Sequence, residues 1–187
     1  MTEWDRATGK PLNGRYFPGI PIVDTQTRDV RGNAVRDPGY PLTLVTYKPV
    51  LQTQSRTIVC PSLQALMPEN FVEMHTSDAR ARGIETGDQV RVTSASNPAG
   101  VHGRAYVTEA IRPAVVAIAN SYGHWEMNSR AMTIDGQQRD FDPGRAMGIS
   151  SCLLMRVDPV LGDVCLTEPV VGDSSFYETG VEVQRVS

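Results

Sequence analysis

Short blocks of alternating or uniformly apolar residues, separated by turn signals, dominate the middle of this chain. LTLVTYK, Leu42 to Lys48, is β-branched and strand-like. Val90 and Val92 alternate with Gln89 and Arg91, the period-two pattern of a half-buried strand. SNPAGVHG, Ser96 to Gly103, predicts a turn, and RAYVTEAI from Arg104 predicts the returning strand. Pro113 ends that strand, and AVVAIA, Ala114 to Ala119, reads as a fully buried one. FVEM (Phe71 to Met74), CLLMRVDP from Cys152 and VEVQRV from Val181 supply further strands.

Helical signals are few. SLQALM, Ser62 to Met67, predicts one short helix capped by Ser62, and Thr76 or Ser77 caps a second that runs through Arg82. Gly83 follows its last residue, where a left-handed backbone is expected. Ile84 then packs beneath the helix, and Val90, Val92, Val107, Val115, Val116 and Ile118 form the predicted core. The pattern therefore describes a closed β-barrel with one or two short helices and its loops at one end. Residues 1–39, rich in Gly, Pro, Asp and Arg, read as an extended arm before a domain covering 40–187. A polar loop from Asn128 to Arg145 carries turn signals at Asp135-Gly136 and Asp142-Pro143-Gly144.

Composition narrows the function. The net charge is −3 with no basic cluster, which argues against nucleic acid, because phosphate neutralisation needs a basic face. No apolar stretch approaches the roughly 20 residues that span a bilayer. The first residues lack an apolar secretory core, so no export signal is expected in this stretch. Three cysteines, Cys60, Cys152 and Cys165, form no C-x-x-C pair and are expected to be buried free thiols rather than metal ligands.

Motifs of a self-sufficient enzyme are absent: no G-x-S-x-G, no P-loop, no H-E-x-x-H and no G-x-G-x-x-G. His124 and Glu126 share a face if their segment is extended, which permits an acid–base pair. His75 and His102 sit in polar turn contexts and are assigned to solvent or a local hydrogen bond. QTQSRT, Gln52 to Thr57, places amide, hydroxyl and guanidinium donors in a row after the first barrel strand. Such a row suits an anionic or heterocyclic ligand, or is simply a polar hairpin tip. YGHW, Tyr122 to Trp125, also follows a strand, and two donor-rich loops at strand ends form a plausible ligand mouth.

Three segments together carry a more specific signal: D-A-x-x-x-G-I-x-x-G-D-x-V-x-V from Asp78 to Val92, I-R-P-x-V-V from Ile111 to Val116, and Y-G-H-W. With YPLTLVTYK, QSRT and DPVLGDVCLTEPVVGDSSFYETGVEV, the chain from about residue 40 to 186 resembles the C-terminal molybdopterin-dinucleotide-binding domain of the dimethyl sulfoxide reductase family. Its ending looks most like catalytic subunits of tetrathionate reductase and their arsenate- and thiosulfate-reductase relatives. The resemblance implies a six-stranded double-psi β-barrel, like that of aspartate decarboxylase. It implies a bis-molybdopterin guanine dinucleotide cofactor with Mo or W, held by Tyr47, Lys48, Gln54, Ser55, Arg56 and Thr57 on one side. On the other side stand Tyr122, Gly123, His124 and Trp125, with Gly123 allowing close approach of the backbone to the cofactor.

By the same resemblance, Asp78, Gly83, Gly87 and Asp88 are residues of the fold: cap, turn and strand entry. The stretch where many relatives carry an Asn holds Ser150, Ser151 and Cys152 here. The iron–sulfur cysteines and metal-ligand loop of a complete catalytic subunit are missing from this sequence. The isolated chain is therefore expected to be inactive, and its partners to be the remaining catalytic domains and an iron–sulfur electron-transfer subunit. The complete enzyme is expected on the outer face of the cytoplasmic membrane. The alternative is a double-psi barrel that recognises protein substrates without a cofactor, which would not need QSRT and YGHW at one mouth.

Overall fold

The structure, a computed structural model, describes residues 4–5, 10–11, 26–124, 132–139, 147–167, 173–175, 177 and 179–186. Near the N-terminus β1 (Trp4–Asp5) pairs antiparallel with β2 (Lys10–Pro11). The barrel strands are β3 (Leu42–Tyr47), β4 (Val72–His75), β5 (Gln89–Ser94), β6 (Val101–Thr108) and β7 (Val115–Ala119). A small hairpin, β8 (Met132–Ile134) and β9 (Gln137–Arg139), turns at Asp135-Gly136 as the sequence predicts. β10 (Thr179–Arg185) completes a closed six-stranded barrel in the order β10-β3-β7-β4-β6-β5.

Two pairs in this barrel are parallel, β3 with β7 and β4 with β6, and the second pair lies within the first in sequence. The remaining contacts are antiparallel. Leu42, Leu44, Val72, Met74, Val90, Val92, Ala105, Val116, Ile118, Val181 and Val183 fill the interior. Val107 and Val115 are only partly buried, because each lies near a strand end or on the outer face. β7 is buried on both faces: Val116 and Ile118 enter the core, while Ala117 and Ala119 are covered from outside. Such two-sided burial explains the unbroken apolar run.

At one end of the barrel lies α2 (Thr76–Ala81); α1 (Pro61–Leu66) precedes β4. The cap of α2 is His75 rather than Thr76 or Ser77: its ring nitrogen Nδ1 accepts from the Ser77 amide at 3.1 Å. The other ring nitrogen faces Glu109 at 3.0 Å, so His75 is locally bonded as expected. Asp78 is not a cap either. Its carboxylate accepts from the Ala114 amide at 2.7 Å and pins the turn into β7, where Ala114 adopts a left-handed φ of 64°. Gly83 does take the left-handed turn, at φ 63°, and the Ile84 amide returns to Ala79 O at 3.0 Å. Arg82 closes this end with a forked contact to Glu182 on β10, at 2.6 and 3.1 Å.

Three further expectations change. Cys152 to Pro159 does not form a strand; Ser151–Leu154 is a 3-10 turn, because Leu154 and Met155 pack inward on successive positions. The first helix begins at Pro61, with Cys60 at its cap position, since proline at the first helical residue is preorganised for it. The thiols are free, but Cys152 is exposed and the other two are half-buried. Residues 26–40 run against the barrel. Asp158, buried, accepts from the Val30 amide at 2.7 Å, and Arg156 holds Asp37 at 2.8 Å.

Candidate functional site

β3 and β7 run in the same direction with Tyr47 opposite Ala119, and the Asn120 amide donates to Tyr47 O at 2.9 Å. Their C-terminal ends therefore leave the barrel side by side. The loops that follow carry the two sequence-predicted clusters, which are more than 60 positions apart in the chain but leave one end of the fold. α2 and the turn Gly83 to Asp88 lie at the other end. A cleft of about 480 Å3 there, lined by Thr76, Arg80, Glu85 and Val107 among others, is unrelated to these loops.

The first loop is not a hairpin tip. Gln54–Val59 forms a 3-10 turn that leads directly into α1. Gln54 opens it at φ 52°, a left-handed conformation that L side chains seldom adopt outside constrained sites. Lys48, Gln54 and Arg56 are exposed and Ser55 is half-buried. Lys48 and Arg56 have no hydrogen-bond or ion-pair partner among the described residues. Thr57 is different: its hydroxyl donates to Gln52 Oε1 at 2.7 Å and accepts from the Thr53 amide at 2.7 Å. It holds the turn together from inside. The Tyr47 hydroxyl donates to Glu73 across the small residues of β7. Burial, and then Glu73, push its pKa well above the ordinary phenol value, so Tyr47 keeps its proton.

The second loop is clamped by its own chain. Tyr122 is completely buried, and its hydroxyl donates to Met67 O at 3.1 Å, just past α1. Burial raises its pKa too. The ring therefore joins the two loops and does not face solvent. Gly123 also serves the fold. It sits at φ 72°, donates to Met147 O at 3.2 Å, and a Cβ there would lie 2.4 Å from the Ser150 amide nitrogen. Residues 148–150 approach closely enough to require glycine here. Ser121, like Gln54 and Ala114, is a non-glycine residue in the left-handed region, at φ 85°. His124 is half-buried and engaged in a contact of its own, and Trp125 and Glu126 lie outside the described residues.

Asn70 organises this end and was not legible as doing so. It is buried; its amide nitrogen donates to Ala119 O and, at 2.9 Å, to Ile149 O, while Oδ1 accepts from the Ile149 amide at 2.7 Å. One side chain thus ties the end of β7 to the strip that clamps Gly123. A polar residue directly before the apolar start of β4 was the available signal. Ile149, in turn, drops into the space left by Gly103, where a Cβ would meet its side chain at 2.1 Å. Gln52, the first residue of the donor row, is buried instead of exposed: its Nε2 lacks an acceptor among the described residues, although the amide lies beside the Tyr122 hydroxyl. Among the described residues no group of three His, Cys, Asp or Glu side chains is placed to hold a metal ion.

The result is two neighbouring loops at one end of the barrel. Cationic and amide groups without a partner among the described residues stand on one loop, and a second loop beside it is held from beneath by Asn70 and Tyr122. A polyanionic ligand with hydrogen-bonding rings matches that donor set.

The family model for the molydopterin dinucleotide binding domain matches residues 42–144. The chain is 40% identical over 187 residues to a selenate reductase subunit of Mesobacillus selenatarsenatis, covering 94% of this chain and 18% of that protein. It is 31% identical over 153 residues to a tetrathionate reductase subunit of Salmonella typhimurium, covering 79% of this chain and 14% of that protein. The chain thus spans less than a fifth of the length of these curated relatives. The fold is also similar to acetylene hydratase from Pelobacter acetylenicus, with a TM-score of 0.55 at 14% identity, covering 79% of this chain and 18% of that one.

Proposed function

The chain belongs to the molydopterin dinucleotide binding domain family, and from that premise we propose that it holds the cofactor of a molybdenum or tungsten oxidoreductase at the surface formed by the exits of β3 and β7. The observation that carries this reading is the pairing of Tyr47 with Ala119 on parallel strands, which brings both donor loops to one end. Arg56 and Lys48 are the groups for the diphosphates, since both are exposed and uncommitted among the described residues. Arg56 presents a planar fork to two oxygens at once, and Lys48 a point charge. Gln54 and Ser55 add neutral donors, and His124 stands on the neighbouring loop. Tyr47, Thr57, Tyr122 and Gly123 act one layer further in, holding the two loops at a fixed spacing.

The bound metal–pterin group supplies the redox chemistry, and the protein supplies binding, orientation and electrostatics. This chain contributes donors for phosphate and ring edges and covers that side of the site against water. The activity we propose for the complete enzyme is reduction of an oxyanion of sulfur or selenium. It rests on the likeness to selenate and tetrathionate reductase subunits. An iron–sulfur subunit would deliver the electrons, with the assembled enzyme on the outer face of the cytoplasmic membrane.

The test is the guanine nucleotide released per mole of acid-denatured enzyme. Arg56→Ala and Lys48→Ala should each lower the bound dinucleotide, and the double variant should lower it further. Arg91→Ala, on the outer face of β5, should not. Full occupancy in the double variant would remove these residues from the site.

A further inference from the structure

Gln52 is the one residue of the QTQSRT row that is buried, at 3% exposure, and the two ends of its amide serve different loops. Oε1 accepts from the Thr57 hydroxyl at 2.7 Å, and that hydroxyl accepts from the Thr53 amide. This end belongs to the 3-10 turn that presents Arg56. With the carbonyl committed there, the amide flip is fixed and Nε2 is turned away from Thr57.

Nε2 adjoins the Tyr122 hydroxyl without reaching hydrogen-bond geometry. The Tyr122 hydrogen is spent on Met67 O at 3.1 Å, so the phenol oxygen is left as an acceptor. Burial raises the Tyr122 pKa, and Gln52 works against that rise, as a donor beside the oxygen does. A buried donor on one loop therefore faces a buried acceptor on the other across an incomplete contact. Such donors are normally paired. Gln64 Nε2 also lacks an acceptor among the described residues, but Gln64 is only half-buried and lies on α1.

We propose that Gln52 is a positioning residue for the dinucleotide: its amide closes onto the Tyr122 hydroxyl when a ligand engages the Arg56 turn and the His124 loop together, so that the two loops bind as one unit. The inference rests on the cofactor reading above. The free chain carries the unfavourable state, a buried donor without a partner, and the bound form recovers that cost. The connection runs from the Thr53 amide through the Thr57 hydroxyl, the Gln52 amide and the Tyr122 hydroxyl to the Met67 carbonyl. Both of its ends are backbone, so a displacement of one loop is passed to the other from beneath the surface.

Two measurements test it. The first is the ζ-carbon NMR signal of Tyr122 in the 187-residue chain without ligand. Thr57→Val frees the Gln52 carbonyl and should move that signal in the parent, but not in Gln52→Met, which keeps the volume and removes the amide. A signal that Thr57→Val leaves in place overturns the proposal.

The second is the rate at which guanine nucleotide leaves the assembled enzyme well below its melting temperature. Gln52→Met should speed this loss about fivefold, the effect of one hydrogen bond gained on binding. Tyr122→Phe keeps the ring, should do the same, and gives the answer if Gln52→Met does not fold. The two substitutions together should be no faster than either alone, since each breaks the same link. Effects that multiply would mean two separate structural defects and overturn the proposal. So does a parental rate in Gln52→Met beside a faster one in Arg56→Ala, which leaves the cofactor reading standing. Parental rates in both Gln52→Met and Arg56→Ala sink the cofactor reading itself.

Discussion

Asn70 and Ile149 are 79 positions apart, yet the Asn70 side chain both donates to the Ile149 carbonyl and accepts from its amide, at 2.9 and 2.7 Å. The same amide group holds the Ala119 carbonyl at the end of β7. The loop bearing His124 is therefore built onto a buried polar clamp, and the position of the candidate site depends on it. Asn70→Ala leaves two carbonyls and one amide without partners in a dry environment. It should cost at least about 2 kcal/mol, read as a lower urea midpoint. An unchanged midpoint would mean that water replaces the clamp.

Gly123 and Gly136 separate two effects of adding a methyl group. Both have left-handed φ, 72° and 74°, but a Cβ at Gly136 meets nothing within 4 Å while one at Gly123 meets the Ser150 backbone at 2.4 Å. Gly136→Ala should cost only the conformational penalty, about 1 kcal/mol. Gly123→Ala should cost several times that, because backbone cannot give way as a flexible side chain does. Equal losses in melting temperature would show that residues 148–150 move aside freely.

Val116 lies in the barrel with no exposed surface. Val116→Asp places an unpaired charge there and should abolish cooperative unfolding at neutral pH. Circular dichroism melting that matches the parent would contradict the assignment of β7.

Glu109 gives a pH dependence of known sign. The Thr76 hydroxyl, followed by His75, holds its carboxylate below the usual range. A depressed folded-state value stabilises the protein above the unfolded value of about 4.3 and loses that contribution as pH falls through the folded value. Thr76→Val should therefore destabilise the protein at pH 6 and matter progressively less at lower pH, below the folded value. Melting profiles of the two proteins that stay parallel down to about pH 2 would refute the coupling.

Much of the fold could be read from local pattern. The alternation at Val90 and Val92, the apolar run into Ala119 and the Gly83 turn all reappear as β5, β7 and the end of α2. Their signals are local, and their neighbours in the barrel agree with them. The failures came from long-range partners. Asp78 looked like a cap because caps are common at that spacing, but Ala114, 36 positions away, claims its carboxylate. The packing of Tyr122 and Gly123 was out of sight in the same way: Met67 and Ser150, invisible as neighbours in one dimension, hold them in place. Lys48 and Arg56 are exposed, and nothing among the described residues competes for them.

The most direct measurement is an experimental structure of the assembled, cofactor-loaded enzyme, read at the exits of β3 and β7. The expected result is dinucleotide oxygens within hydrogen-bonding reach of the Arg56 guanidinium and a cofactor ring edge against the loop at His124. A dinucleotide held wholly by other domains, with Arg56 and His124 facing solvent or protein, would contradict it.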